Sequence, residues 1–247
     1  MSVCLTIAGS DSSGGAGLAA DLRVFDAHGV RGAVAVTAVT AQNWLGVQAI
    51  EVVTPELVRA QIASVASDTG VDAAKTGMLG SAEVVEVVAD AARDFGLRRM
   101  VVDPVMMASS GGRLLDSGAL GVLKVRLLPL ATVITPNLAE AEALVGWSVD
   151  DRATMEKAAL ALAELGPEAV LVTGGHLGDG ASAPDCLVLA GESPQWLDAP
   201  RVPGGHAVRG TGCMLSAAIC AHLAIGEDLV AACTAAKAFV CSQLPQR

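Results

Sequence analysis

Val3-Cys4-Leu5-Thr6-Ile7-Ala8, then Gly9-Ser10-Asp11-Ser12-Ser13-Gly14-Gly15-Ala16-Gly17, then Leu18-Ala19-Ala20-Asp21-Leu22-Arg23-Val24-Phe25 is the stretch that decides the fold class. A short apolar run stops at glycine, crosses a polar loop and re-enters an amphipathic run with helical spacing. This pattern predicts a strand over 3–8 and a helix over 16–28. The same unit recurs along the chain. Strands are predicted over 33–39, 73–76, 100–103, 132–135 and 169–172, and helices over 55–67, 82–95, 117–127, 139–145 and 152–165. In the last of these helices Met155, Ala158, Ala159, Leu162 and Leu165 mark one face. Residues 186–189 and 195–197 read as an antiparallel edge pair, and helices over 214–225 and 229–240 close the chain.

Repeated βα units imply an α/β fold with a mainly parallel sheet, helices on both faces and right-handed crossovers. No linker or low-complexity stretch divides the chain, so residues 1–247 are expected to form one domain. Ligands in such sheets gather at the carboxyl ends of strands. Gly, Asp and Asn signals recur at those ends: after Ala8, after Val39, at Thr76 to Met78, at Asp103, at Asn137 and at Gly174. That recurrence predicts a single cleft.

Composition narrows the function classes. Hydrophobic residues make up 52% of the chain and charged residues 17%, enough apolar material for a large core. Aromatics are only 2%, so Ala, Val and Leu must build that core. The formal charge is −10 and no basic run occurs, which argues against nucleic-acid binding. No apolar run reaches the roughly 18–20 residues of a membrane-spanning helix without a charge or glycine break. Met1 leads straight into a strand without a signal peptide, and the six cysteines show neither CxxC nor metal-ligand spacing. The expectation is a cytoplasmic protein with mostly structural thiols.

Two common phosphate-binding motifs fit the sequence poorly. No Gly-Lys-Ser/Thr occurs, which excludes a Walker A loop. Gly15-Ala16-Gly17-Leu18-Ala19-Ala20 fits G-x-G-x-x-A, but its loop is long and no acid ends the second strand, where Val39-Thr40-Ala41-Gln42 stands. A different turn carries more weight. Gly210-Thr211-Gly212-Cys213 opens into an apolar helical run. Such a turn aims free N–H groups and the positive end of a helix dipole at one point, which suits a phosphoryl group. Cys213 stands in the first turn, where the helix field is expected to favour its thiolate.

The ordered set Ala8 to Gly17 with Asp21, Thr40-Ala41-Gln42-Asn43, Gly46-Val47-Gln48, Lys75-Thr76-Gly77-Met78-Leu79, Asp103-Pro104-Val105-Met106, Thr135-Pro136-Asn137 with Glu140 and Glu142, Gly174-Gly175-His176 and Gly210-Thr211-Gly212-Cys213 spans almost the whole chain. It resembles the hydroxymethylpyrimidine/phosphomethylpyrimidine kinases of thiamine synthesis, members of the ribokinase-like superfamily. The resemblance implies a three-layer α/β/α sandwich. It also implies transfer of the γ-phosphoryl of ATP, with Mg²⁺, to the hydroxymethyl group of an aminopyrimidine or to its monophosphate, and a homodimer. Vitamin B6 kinases of the same superfamily and a non-catalytic binding homologue are the alternatives.

Carried over by position, Gly9, Asp21, Gln42, Met78 and Val105 resemble the substrate pocket. An amide such as Gln42 can both donate and accept, which suits a ring nitrogen beside an amine; it could equally cap a strand end. Asp103, Asn137 and Glu140 resemble the nucleotide side, with Asp103 and Glu140 as Mg²⁺ ligands. Asn137 and Glu140, three apart at a helix start, also fit a plain helix cap, and both readings can hold together. Cys213 stands where sugar kinases of the superfamily carry an aspartate base, with Gly210, Thr211 and Gly212 supplying amides. Asp11 and Lys75 are further polar positions near the pocket, and His176 could flank the nucleotide.

The chain departs from the family pattern at four places. Ser109 and Thr173 stand where lysines are common, and Ala207-Val208-Arg209 replaces Asn-Thr-His. The tail beyond the last helix is short. Loss of a lysine at a phosphate site removes a charge-assisted contact of about 1.5–3 kcal/mol. Arg209 can restore part of that charge with a forked, permanently ionised head on the nucleotide phosphates.

Overall fold

The computed structural model describes residues 1–107, 112, 114–116, 118–177, 181–202 and 208–244. The departure at Ser109, Ala207 of the departure before the glycine turn and the C-terminal Gln246-Arg247 lie outside the described residues.

Among the described residues nine strands form one sheet: β1 (Val3–Gly9), β2 (Arg31–Asn43), β3 (Gly46–Val52), β4 (Ala73–Thr76), β5 (Met100–Val102), β6 (Val133–Ile134), β7 (Ala169–Thr173), β8 (Asp185–Leu189) and β9 (Gln195–Leu197). Their order is β3-β2-β1-β4-β5-β6-β7-β8-β9. β2 to β7 run parallel through β1, while β3 at one edge and β8 with β9 at the other are antiparallel. The chain leaves β1 towards β2, then returns to place β4 on β1's other side. That reversal is the switch point where α/β sheets open a crevice beyond their carboxyl ends.

Strand residues alternate between two cores, as a period of two requires. Ala74, Met100, Val102, Val170 and Val172 face a layer built from α2 (Pro55–Asp68), α3 (Ala82–Asp94), α5 (Leu138–Val145) and α6 (Arg152–Ala163). Ala73, Val101, Ala169 and Leu171 face α1 (Gly17–Ala27), α7 (Thr211–Ala224) and α8 (Leu229–Gln243). The three-layer sandwich is therefore as expected. Small side chains dominate α7, where Ala217, Ala218, Cys220 and Ala221 are fully buried and let the helix press close to the sheet. No helix among the described residues is long and apolar enough to cross a membrane.

Three local expectations differ. β2 runs on to Asn43 because β3 pairs with it, and β3 itself was not foreseen. As an edge strand β3 is half-open on both faces, so its apolar residues carry no core periodicity. The helix expected over 117–127 is a single α turn, α4 (Ala119–Val122), continued by a wider π turn to Leu127 and a tight turn at Leu128–Leu130 around Pro129. The helix expected from Met214 begins earlier, at Thr211.

Candidate active site

Among the described residues five helices start on a side-chain cap: Thr54, Ser81, Asn137, Asp151 and Asp228 head α2, α3, α5, α6 and α8. Long helices α1 and α7 have no such cap. Their N-termini meet at the carboxyl ends of the parallel strands, beside a cleft of about 290 Å³. Asp11 and Ala16 after β1, Gln42 on β2, Asp103 and Val105 after β5 and Thr135, Asn137 and Glu140 after β6 line this cleft. Thr173, Gly175 and His176 around the end of β7, and the run Arg209 to Cys213, complete it.

The first loop is organised by its own acid. Asp11 is buried and accepts the Ser13 amide at 2.9 Å, the Ser13 hydroxyl at 2.8 Å and the Ala16 amide at 2.9 Å. Against that loop packs the turn before α7. Gly210 adopts φ +74°, and a Cβ there would run into the Gly15 carbonyl oxygen. Only glycine takes both that backbone and that approach. Since the Met214 amide is the first to bond back, to the Gly210 carbonyl at 2.8 Å, the open first-turn donors are those of Thr211, Gly212 and Cys213. The Gly210 amide, at the N-cap, also has no partner among the described residues, so the cradle keeps the expected set Gly210 to Gly212 and gains the Cys213 amide.

Cys213 lines the cleft, but not as a ready thiolate. Burial pushes its thiol up to about 12; Lys75 and the Gly17 amide pull it down, while Asp103 and Asp21 push it further up. Desolvation outweighs the helix field here, which corrects the expectation of an ionised sulfur.

Asp21 does not reach the cleft. It is fully buried, accepts the Thr6 hydroxyl at 2.6 Å and pairs with Lys75 at 2.8 and 2.9 Å. Lys75 is neither a pocket cation nor a surface salt bridge but an interior ammonium; Asp21, Cys213 and Asp103 hold its proton more tightly than burial loosens it. Gly9 and Met78 lie one layer behind the cleft wall. A Cβ on Gly9 would sit 3.0 Å from the Met78 sulfur, and Met78 packs with Ala38, Leu114 and Val105, of which the last two line the cleft. Gln42 is half-buried at the cleft mouth, its backbone clasped by Ser12 through two bonds of 2.8 Å.

Two buried carboxyl groups, Asp103 and Glu140, line the cleft close enough to feel each other's charge. Asn137 and Glu140 form a full capping box: the Glu140 amide donates to Asn137 Oδ1 at 3.0 Å and the Asn137 amide to Glu140 Oε2 at 2.9 Å. Burial and the neighbouring Asp103 charge raise Glu140 to about 8. Burial also raises Asp103, against the pull of Lys75 and of the Ser216 hydroxyl that donates to it at 3.0 Å. No group of three or more His, Cys, Asp or Glu among the described residues could hold a metal by itself. Two buried hard-oxygen donors that repel each other nevertheless fit Mg²⁺, which usually keeps several waters and takes one or two carboxylates beside substrate phosphates.

The cleft residues Lys237 and Asp185, and Ser216 buried behind Asp103, were not among the sequence expectations. Lys237 donates to Asp185 Oδ2 at 2.6 Å and to the Ala183 carbonyl at 2.7 Å, while Asp185 takes the Gly174 amide at 3.0 Å. The sequence signal was there: Lys237 is the lone charge in the otherwise uncharged α8. Ser216 carried no such signal. Arg209 stands at the cleft mouth, with Nη1 donating to the Asn43 carbonyl at 2.6 Å and its guanidinium 5.4 Å from the Trp44 ring centre.

Comparison with known proteins gives a consistent family. The sequence profile described as phosphomethylpyrimidine kinase matches residues 11–247. The chain is 49% identical over 239 residues to the hydroxymethylpyrimidine/phosphomethylpyrimidine kinase of Rhizobium meliloti, covering 96% of this chain and 88% of that protein. It is 46% identical to the Arabidopsis thaliana chloroplastic bifunctional thiamine biosynthetic enzyme TH1, covering 96% of this chain but only 45% of that longer protein. Among solved structures, the Clostridium difficile phosphomethylpyrimidine kinase superimposes with a TM-score of 0.85 at 37% identity, covering 98% of this chain and 99% of that one. A Bacillus subtilis pyridoxal kinase in an ADP complex gives 0.87 at 38% identity, covering 97% and 90%.

Proposed function

The chain belongs to the phosphomethylpyrimidine kinase family, and from that premise we propose that it moves the γ-phosphoryl of ATP onto 4-amino-5-hydroxymethyl-2-methylpyrimidine, onto its monophosphate, or onto both. It is a phosphotransferase by family. The observation that carries the reading is a single cleft lined both by the uncapped start of α7 with Cys213 and by the buried carboxyl groups of Asp103 and Glu140.

The chemistry follows from what each residue can do. Phosphoryl transfer is mainly positioning and charge stabilisation. The amides of Gly210, Thr211, Gly212 and Cys213 stabilise the equatorial oxygens of the moving group. Asn137, Asp103 and Glu140 hold the nucleotide side, where Asp103 and Glu140 would bind Mg²⁺; that ion supplies neutralisation of the phosphate oxygens. Gln42 orients the aminopyrimidine, and Val105, backed by Met78 and Gly9, forms the apolar wall of its slot. Cys213 rests as the neutral thiol, and in that form it has no place for a second proton. It acts as base only after its own proton has left to solvent: the thiolate, which the Lys75 ammonium favours, then takes the hydroxyl proton as the acceptor oxygen bonds to phosphorus, and returns to the thiol.

A pyridine alcohol is the second reading, favoured by the structural likeness to the pyridoxal kinases of Bacillus subtilis and Staphylococcus aureus, the latter with a TM-score of 0.89 at 33% identity. Coupled ADP release with the pyrimidine alcohol, its monophosphate and pyridoxal, compared side by side, decides between them. Turnover of pyridoxal alone would overturn the pyrimidine assignment. Residues 1–247 acting as one domain and a homodimeric state belong to the same proposal; light scattering tests the latter.

A further inference from the structure

Given the kinase activity proposed above, we propose that Arg209 binds the phosphate of a phosphorylated acceptor and so sets the preference between the pyrimidine alcohol and its monophosphate.

Arg209 precedes Gly210 and therefore flanks the amide cradle at the point of transfer. Its tether lies on the acceptor side. The Asn43 carbonyl that takes its Nη1 hydrogen bond and the Trp44 ring beneath it follow directly on Gln42, and all belong to the hairpin of β2 and β3. The nucleotide-side groups Asn137 and Glu140 sit on a different element, the start of α5. This moves Arg209 from the ATP phosphates, where the sequence placed it, to the acceptor.

The other cations of the cleft wall are already engaged. Arg201 donates to the carbonyls of Gly175, Leu177 and Ser182, and Lys237 is paired with Asp185. Arg209 has one hydrogen bond among the described residues, so Nη2 and Nε keep their donors for a ligand. The ring face and the Asn43 carbonyl hold the planar head in place, which suits bidentate capture of phosphate oxygens. A monophosphate entering this cleft meets the carboxylates of Asp11, Asp103, Glu140 and Asp185. The ATP phosphates bring Mg²⁺ with them; the acceptor phosphate needs a cation of its own.

The test is steady-state ADP release at saturating Mg²⁺-ATP, with the alcohol and with the monophosphate, for the wild type, Arg209→Gln and Arg209→Lys. Arg209→Gln is expected to raise KM for the monophosphate about 10–100-fold and to leave KM for the alcohol within about threefold, since only one charge-assisted contact is removed. Arg209→Lys should fall between, keeping the charge but losing the fork. Equal rises for both acceptors, or a rise confined to ATP, would overturn the assignment. A wild type that releases no ADP with either acceptor sinks the kinase proposal instead. Calorimetry with inorganic phosphate then decides for Arg209: weaker binding in Arg209→Gln supports it, and unchanged binding removes it.

Discussion

Lys75 Nζ lies 2.8 and 2.9 Å from the two carboxylate oxygens of Asp21, and both side chains are fully shielded from solvent. The pair joins β4 to α1 directly behind Cys213. A single ion pair in a dry interior is weak as a stabiliser but severe when halved. Asp21→Asn or Lys75→Met alone should therefore destabilise the protein by about 3–5 kcal/mol in urea unfolding. The double variant Asp21→Leu with Lys75→Met should recover most of that loss, because no unpaired charge remains. If the double variant is as unstable as the sum of the singles, the pair contributes net stability rather than only mutual compensation.

Cys213 should behave as a neutral thiol in the free protein. With its ionisation pushed up to about 12, the rate of its alkylation must keep rising between pH 7 and pH 10 without a plateau. A plateau near pH 8 would show a thiolate already formed at rest. Cys213→Ala should lower kcat by roughly 10²-fold or more, the usual range for a group that takes a proton in the transition state. A kcat within a factor of about three, below any general-base contribution, would assign the whole effect of this turn to its amides.

Glu140 gives a pH dependence of defined sign. Its folded-state ionisation near 8 lies above the ordinary carboxylate range, so the folded protein binds the proton more tightly than the unfolded chain. That contribution to stability is complete in acid, below the unfolded value, and is lost as pH rises through about 8. Mg²⁺ competes with the same proton. The rise in Tm on adding Mg²⁺ should therefore be larger at pH 9 than at pH 6, and Glu140→Gln should flatten the difference. An equal Mg²⁺ effect at both pH values would place the ion elsewhere.

Gly210→Ala tests the turn itself. The φ of +74° costs an alanine about 1–2 kcal/mol, and the added methyl would collide with the Gly15 carbonyl oxygen. Thermal stability should fall by that amount or more, and kcat should fall with KM for the acceptor less affected, since the displaced amides act on the transition state. Gly212→Ala is the control: no neighbour lies near the position a methyl would occupy there, so stability should change little.

The sequence alone determined the layered α/β fold, the positions of nearly every parallel strand and the convergence of Asp103, Asn137, Glu140, Gly210 and Cys213. These are local properties. Periodicity, caps such as Asn137 with Glu140, and a glycine turn opening a helix are written within a few neighbouring residues. Edge strand β3 was not legible, because a half-open strand shows no one-sided burial, and neither was the break in the helix after Val122.

Only the tertiary structure decided which polar residues meet. It sent Asp21 inward to Lys75, although both sit among family-matched pocket positions, and turned an expected thiolate into a neutral, partly exposed thiol. It also tied Arg209 to Asn43 and Trp44, next to Gln42. The reason is physical: ionisation and pairing depend on burial and on charges brought together from distant parts of the chain, 54 residues apart for Asp21 and Lys75 and 166 for Asn43 and Arg209.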